Sequence, residues 1–105
     1  MRDSVREAVG ETVRDMIRSG LKPSFTEKEL DSLGVEIRDI RLAKDQIRAI
    51  RKRMNLSQTV FAKMLNVSPS SVRHWEQGNR RPRGSVAVLL ELLEKSPHVL
   101  DYRLN

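Results

Sequence analysis

The sequence has no cysteine, only two histidines and few aromatic residues, and these shortages exclude several classes of protein. Without thiols the chain can form no disulfide and no thiolate metal site, and it has no cysteine nucleophile. Two isolated histidines, His74 and His98, do not suffice for a histidine-rich metal site. Aromatic residues are 4% of the chain, too few for the stacking surfaces of a single-strand binder. We expect neither a metal nor a cofactor.

Long apolar runs are missing as well. The longest, Val86–Leu90, is far shorter than the roughly 20 residues that span a bilayer. The first residues mix both charges where a signal peptide needs an apolar block. We therefore expect a cytoplasmic protein with no membrane partner. A length of 105 residues allows one compact domain with a modest extension.

The charge is distributed unevenly along the chain. The net charge is +6, but residues 1–42 carry −1 and residues 43–95 carry +7. This asymmetry predicts an N-terminal extension over 1–42, a candidate interaction segment, and a basic domain over 43–105. The positive excess favours a polyanionic partner, although a solvated basic surface would have the same composition.

Helical signals dominate the N-terminal part. Residues 5–19 place five apolar side chains on one helical stripe: Val5, Val9, Val13, Met16 and Ile17. Thr26 with Glu29 forms a capping-box pattern, which opens a short helix that Gly34 ends. In residues 35–42 two pairs of apolar residues alternate out of phase, and we predict an extended segment.

The basic block contains four predicted helices: 44–54, 58–65, 69–77 and 85–95. Ser57 and Ser68 are N-cap residues for the second and third of them. Asn66 tolerates a left-handed backbone, and Gly78 is a C-cap. All the regular secondary structure predicted for this block is therefore helical, and we predict an all-α fold.

Two of these helices have the spacing of a helix-turn-helix. Helix 58–65 and helix 69–77 are separated by three residues, Asn66 to Ser68. Ala62 lies midway along the first helix, where a bulky side chain would push the second helix away. An ordinary helical hairpin in an all-α core would have the same spacing, so geometry alone leaves both interpretations open.

The residues themselves resemble a known family. The pattern consists of Leu56-Ser57-Gln58, Phe61-Ala62, Leu65-Asn66-Val67-Ser68, Val72 to Gly78, and Pro82. It resembles the lambda-repressor-like (Cro/XRE) DNA-binding domain over roughly residues 44–95. Asn66 stands where family members usually carry glycine. The resemblance implies a helix-turn-helix bundle of about five helices, here with an N-terminal helical extension, that binds double-stranded operator DNA.

Within this family the chain is similar to HigA-type antitoxins of bacterial type II toxin–antitoxin pairs. The similarity lies in Trp75-Glu76-Gln77-Gly78, in the following Arg80-Arg81-Pro82-Arg83-Gly84, and in the leucine-rich helix after them. It implies a repressor of its own operon that neutralises a RelE/HigB-like, mRNA-cleaving ribonuclease. The N-terminal stripe from Val5 to Ile17 is then the candidate toxin-binding surface.

The resemblance also assigns roles in the basic domain. Helix 69–77 becomes the recognition helix, and its candidate base-reading residues are Pro69, Ser70, Ser71, Arg73 and His74. The candidate phosphate ligands are Gln58, Asn79, Arg80, Arg81 and Arg83. Arg51 is expected to pair with Glu76 to stabilise the fold, and Trp75 is expected in the core.

Other functions remain alternatives. The chain could be a free-standing regulator without a toxin, or an interaction adaptor that has lost DNA binding. An enzyme is disfavoured because the sequence has no nucleophile–base pair, no glycine-rich phosphate loop and no metal cluster. A helix-turn-helix protein of this type is expected to be a homodimer. Helix 85–95 and the tail 97–104 are its predicted interface, because they offer more apolar surface than one small domain buries.

Overall fold

Helices make up all the regular secondary structure in the computed structural model, which describes residues 3–22 and 24–104. In chain order they are α1 (Asp3–Ser19), α2 (Glu27–Ser32), α3 (Lys44–Arg53), α4 (Gln58–Leu65), α5 (Pro69–Gln77) and α6 (Ser85–Lys95), followed by a single-turn 3-10 helix (Asp101–Arg103). The all-α prediction is confirmed. The segment 35–42 is irregular, since an extended segment becomes a strand only beside a partner, and the described residues form no strand.

The chain divides into an N-terminal unit, Met1–Arg38, and a C-terminal unit, Asp39–Asn105. In the N-terminal unit Thr26 caps α2 as predicted, because its Oγ1 accepts the Glu29 N–H at 3.1 Å. The hydroxyl in turn donates to the Glu29 carboxylate at 3.2 Å. Val13 of α1 is 4% exposed, and it is the one buried residue among the described side chains of this unit.

The C-terminal unit has a continuous apolar core. Helix α5 packs against α4 and α3, and α6 packs against α3. The four helices supply these buried side chains: Ile47, Ile50, Phe61, Ala62, Met64, Leu65, Val72, Trp75, Leu90 and Leu93. Burying one large aliphatic or aromatic side chain stabilises a fold by about 1.5–3 kcal/mol, so this core holds the four helices firmly together.

Two residues outside the helices complete that core. Leu42 and Leu100 are 9% and 7% exposed and belong to the same cluster. Leu42 therefore packs with the C-terminal unit, although the charge pattern placed it in the extension, and the observed division falls between Arg38 and Asp39. Leu100 is a correction to the predicted dimer surface. Part of the tail covers the domain's own core and is not free for a partner.

Local caps define the two helices of the central motif. Ser57 Oγ accepts the Val60 N–H at 3.2 Å, and Ser68 Oγ accepts the Ser71 N–H at 3.1 Å. Asn66 has φ +59°, the left-handed conformation predicted for it, and ends α4. These caps satisfy backbone groups that the helices cannot pair internally.

Candidate nucleic-acid interface

Helix α5 buries one face and exposes the other. Val72, Trp75 and Glu76 are buried against the rest of the unit, whereas Ser70 and Arg73 are exposed. Because α5 is held by both α3 and α4, its outer face has a fixed orientation. The major groove of B-DNA is about 12 Å wide and admits a helix presented in this way.

The serines at the start of α5 differ in their availability. The hydroxyls of Ser71 and Ser68 lie 2.9 Å apart, and Ser71 is half-buried. Its hydroxyl is thus engaged with the helix cap, which the sequence pattern did not indicate. Ser70 is exposed and makes no side-chain hydrogen bond within residues 24–104. Pro69 is half-buried at the first helical position, where its missing N–H costs nothing.

His74 lies one turn beyond Ser70 and is half-buried. Its Nδ1 atom is buried and has no hydrogen-bond partner in the described part of the chain. Nε2 is therefore the ring nitrogen left to meet an external group. With the proton on Nε2, the ring donates one hydrogen bond, and guanine N7 or O6 in the major groove could accept it.

Behind α5 lies a buried ion pair. Arg51 donates from Nε to Glu76 Oε2 at 2.7 Å and from Nη2 to Oε1 at 2.8 Å, the bidentate geometry of a strong pair. Its Nη1 donates to the Leu56 carbonyl at 3.0 Å. One guanidinium therefore links α3, the end of α5 and the turn that precedes α4.

The charge state of Glu76 follows from its surroundings. Burial raises the pKa of this carboxyl. The opposing effect is larger, because the pKa is lowered by hydrogen bonds from Arg51 and Gln58 and by the charges of Arg51 and Arg48. The resulting pKa lies below the ordinary value, so Glu76 is ionised at neutral pH. The hydrogen bond to Glu76 likewise holds the pKa of Arg51 above its usual range. Both partners are charged in the folded protein.

Gln58 connects this pair to the protein surface. Its Nε2 donates to Glu76 Oε1 at 3.3 Å, and the residue is half-buried at the start of α4. The side-chain amide of Gln58, which was expected to face a phosphate, is thus partly engaged inside the protein. A second amide hydrogen and the backbone N–H remain for an external anion.

The sequence pattern assigned no role to Arg48. Its Nη2 donates to the Glu76 carbonyl at 3.2 Å, and its Nε lies 3.6 Å from Glu76 Oε1. The signal available in the sequence was the spacing of three residues from Arg51, which places both on one face of α3. Arg48 therefore adds a second cation to the end of α5.

The loop after α5 exposes its cations. Arg80, Arg81 and Arg83 are all exposed, and none has an acidic partner in the part of the chain described. Asn79 is also exposed, but its Nδ2 donates to Gln77 Oε1 at 3.0 Å. The arginines are free to meet phosphates, whereas the amide of Asn79 partly stabilises the loop.

The predicted toxin-binding stripe on α1 is not a single open face. Val13 is buried, which corrects its assignment to a partner surface. Val9 and Met16 are half-buried and Ile17 is 58% exposed, while the side chain of Val5 lies outside the described residues. The stripe therefore faces partly inward, and only part of it is open to a partner.

No helix in residues 3–22 or 24–104 combines the length and apolar character needed to cross a bilayer.

Residues 47–93 match the family model described as helix-turn-helix. The chain is also similar to Antitoxin HigA-2 of Vibrio cholerae serotype O1 (strain ATCC 39315 / El Tor Inaba N16961), with 33% identity over 67 residues. That match covers 64% of the chain and 64% of the relative, slightly under two thirds of its length. The resemblance to a helix-turn-helix domain and to a HigA-type antitoxin, predicted from the motif, is confirmed.

Proposed function

We propose that this chain, whose residues 47–93 form a helix-turn-helix domain, is a sequence-specific repressor that binds double-stranded DNA. The observation that carries the proposal is the exposed face of α5, held from behind by the buried Arg51–Glu76 pair. Ser70, Arg73 and His74 read base edges from this face. The rigid backing matters because direct readout requires hydrogen-bonding groups placed to within fractions of an ångström.

Phosphate contacts surround this reading face. Gln58 at the start of α4 holds one phosphate, and Arg80, Arg81 and Arg83 follow the backbone beside α5. The net charge of +7 in residues 43–95 supports this role, because releasing counterions from DNA drives binding by basic proteins. Asn79 contributes a further polar contact from the same loop.

Fluorescence anisotropy over a range of salt concentrations tests DNA binding. A duplex selected from a random pool and an unselected duplex are titrated with the protein and with an Arg80→Ala/Arg81→Ala variant. The variant should weaken binding to both duplexes alike and flatten the slope of log K against log salt by about 0.9 for each lost contact. Wild-type binding that does not change with salt would instead support the adaptor that has lost DNA binding.

We also propose that the chain is an antitoxin, which neutralises a RelE/HigB-like ribonuclease and represses its own operon. The likeness to Antitoxin HigA-2 supports this role. So does the exposure of apolar side chains in the N-terminal unit, where Ile17, Leu21 and Ile37 are 58%, 80% and 84% exposed. Val9, Met16 and Ile17 remain the candidate contacts from the predicted stripe.

Coexpression tests this second role. The chain is produced together with each small basic protein encoded beside its gene, and growth, co-purification and mRNA cleavage are measured. A neighbouring ribonuclease that arrests growth alone and is silenced in a complex with the chain supports the antitoxin. A chain that binds its operator while no neighbouring ribonuclease exists is a free-standing regulator.

We further propose a homodimer formed through α6. Val88 and Leu92 are 57% and 42% exposed on this helix, and they line a cleft of about 590 Å³ together with Val67. A two-fold dimer would present two copies of α5 to half-sites about one helical turn apart, ~34 Å. Sedimentation should show a dimer that Val88→Asp converts to a folded monomer; a wild-type monomer at micromolar concentration would refute the interface.

A further inference from the structure

A basic cleft of about 430 Å³ lies in the C-terminal unit, between the segment that enters α3 and the end of α5. Arg41, Lys44, Arg80 and Arg81 line it, and no acidic residue does. Of these four residues, only Arg80 and Arg81 were expected from the sequence to contact DNA. Arg41 and Lys44 belong to a part of the chain to which the helix-turn-helix pattern assigns no contact.

A close contact places Lys44 beside the recognition helix. A Cβ atom added to Gly78, the C-cap of α5, would lie 3.3 Å from Lys44 Cδ. The stem of Lys44 therefore packs over Gly78, and the start of α3 meets the end of α5 at this point. Gly78 also has φ +80°, so a side chain is disfavoured there both by backbone strain and by the lysine.

The cations of this cleft differ from two of the arginines farther along α3. Arg51 has Glu76 as its partner, and Arg53 donates to the Glu94 carbonyl at 3.0 Å. The four cleft cations are exposed, and none has a hydrogen-bond or ion-pair partner within residues 3–22 and 24–104. Four like charges gathered without a counter-charge repel one another, and an anion seated among them relieves that repulsion.

We propose that this cleft seats a phosphodiester of the DNA backbone, with Arg41 and Lys44 as additional phosphate ligands beside Arg80 and Arg81. The inference rests on the proposed DNA binding and extends its footprint beyond the central motif. Duplex DNA is the occupant because the cleft shares Arg80 and Arg81 with the loop beside α5. Arginine forks match phosphate oxygens, and lysine adds a point charge.

The salt dependence of binding to an unselected duplex tests the proposal, because phosphate contacts carry no sequence preference. An Arg41→Ala/Lys44→Ala variant should flatten the slope of log K against log salt by about 0.9 for each lost contact. An Arg41→Lys/Lys44→Arg variant, which keeps both charges, should retain the wild-type slope. Arg18→Ala/Lys28→Ala is the matched control, since it also removes two exposed cations, which lie on α1 and α2 of the N-terminal unit and do not line the cleft.

The outcomes separate this inference from the function on which it rests. A wild-type slope in the Arg41→Ala/Lys44→Ala variant overturns the cleft site and leaves DNA binding intact. An equal decrease in the Arg18→Ala/Lys28→Ala protein also overturns it, because the effect would then be one of net charge. A wild-type protein whose binding ignores salt refutes DNA binding itself.

The absence of cysteine allows a second, direct measurement. An environment-sensitive dye is attached to Lys44→Cys or to Lys28→Cys on α2, and its emission is followed as duplex is added. The emission should change at position 44 and stay constant at position 28. Inorganic phosphate at matched ionic strength should have no effect. A response to inorganic phosphate but not to duplex would identify a small-anion site and overturn the proposal.

Discussion

The two units of the chain are stabilised very differently. In the C-terminal unit every α-helix buries apolar side chains, and Glu76 is buried with them at 2% exposure. In the N-terminal unit Val13 is the buried member among the described side chains, and apolar residues such as Ile37 are exposed. One unit can hold a rigid surface unaided, whereas the other has little core of its own.

Their ion pairs show the same contrast. Arg51 and Glu76 form a bidentate pair with little solvent access, at 14% and 2% side-chain exposure. Lys22 and Glu29 form a single contact at 2.9 Å between side chains that are 36% and 44% exposed and so remain open to solvent. Screening by water makes exposed pairs nearly neutral for stability, while breaking a buried pair strands a charge. Geometry alone therefore does not decide what a salt bridge contributes.

The largest expected effect comes from breaking the buried pair. Glu76→Gln should destabilise the C-terminal unit by about 3–5 kcal/mol, because the largely buried guanidinium of Arg51 loses its counter-charge. Trp75, the single tryptophan and 6% exposed, reports this unfolding by fluorescence in urea. Glu29→Gln in the N-terminal unit is the control and should leave the midpoint within error. Equal shifts for both variants would remove the distinction between the two pairs.

Acidification should also weaken the buried ion pair and so destabilise the C-terminal unit. Because the pKa of Glu76 in the folded protein lies below its ordinary value of 4.5, the unfolded chain takes up a proton first as the pH falls. The contribution of Glu76 to the free energy of unfolding is therefore present above pH 4.5 and is lost as the pH falls through the lower pKa of the folded state. Urea midpoints measured with Trp75 should decrease over this range, and the decrease should be shallower in Glu76→Gln. A variant as acid-sensitive as the wild type would exclude Glu76 as the cause.

A smaller effect is expected on the outer face of α5, where recognition and stability separate. His74→Ala should reduce discrimination between a selected and an unselected duplex by about 1–3 kcal/mol. The Trp75 unfolding midpoint should change far less than in Glu76→Gln, because His74 is half-buried and its Nδ1 has no partner to lose. Equal losses of affinity on both duplexes would show that His74 does not read bases.

The smallest effect on the C-terminal unit should follow from removing the N-terminal one. A chain beginning at Asp39 retains every residue of the apolar core, including Leu42. Its Trp75 midpoint and its duplex affinity should match those of the full chain, while capture of a ribonuclease partner should disappear. A large loss of stability would mean that the two units fold together, and retained capture would place that site in residues 39–105.

Local signals explain how much of the fold could be read from the sequence. The bounds of α4, α5 and α6 were predicted at the residues where the structure has them. Each of these helices is bounded by caps or breakers within a few residues, such as Ser57, Ser68 and Gly78. The core roles of Trp75 and Ala62 also followed from the motif.

The site residues were only partly predictable. The motif pointed to Ser70, His74 and the loop arginines, and the structure leaves Ser70 and those arginines exposed. It could not show that Ser71 bonds to the cap, that Gln58 donates to Glu76, or that Arg48 joins the pair. These contacts depend on distances between helices, which spacing along one helix does not determine.

The sequence by itself determined the helices, the turn between α4 and α5 and the excess of positive charge, because caps, apolar periodicity and composition are local properties of the chain. The tertiary structure alone decided which polar groups face inward, which apolar residues of the N-terminal unit remain exposed, and which cations gather around the cleft at Gly78. Those outcomes depend on packing between residues that are distant in sequence, and packing is settled only when the helices assemble.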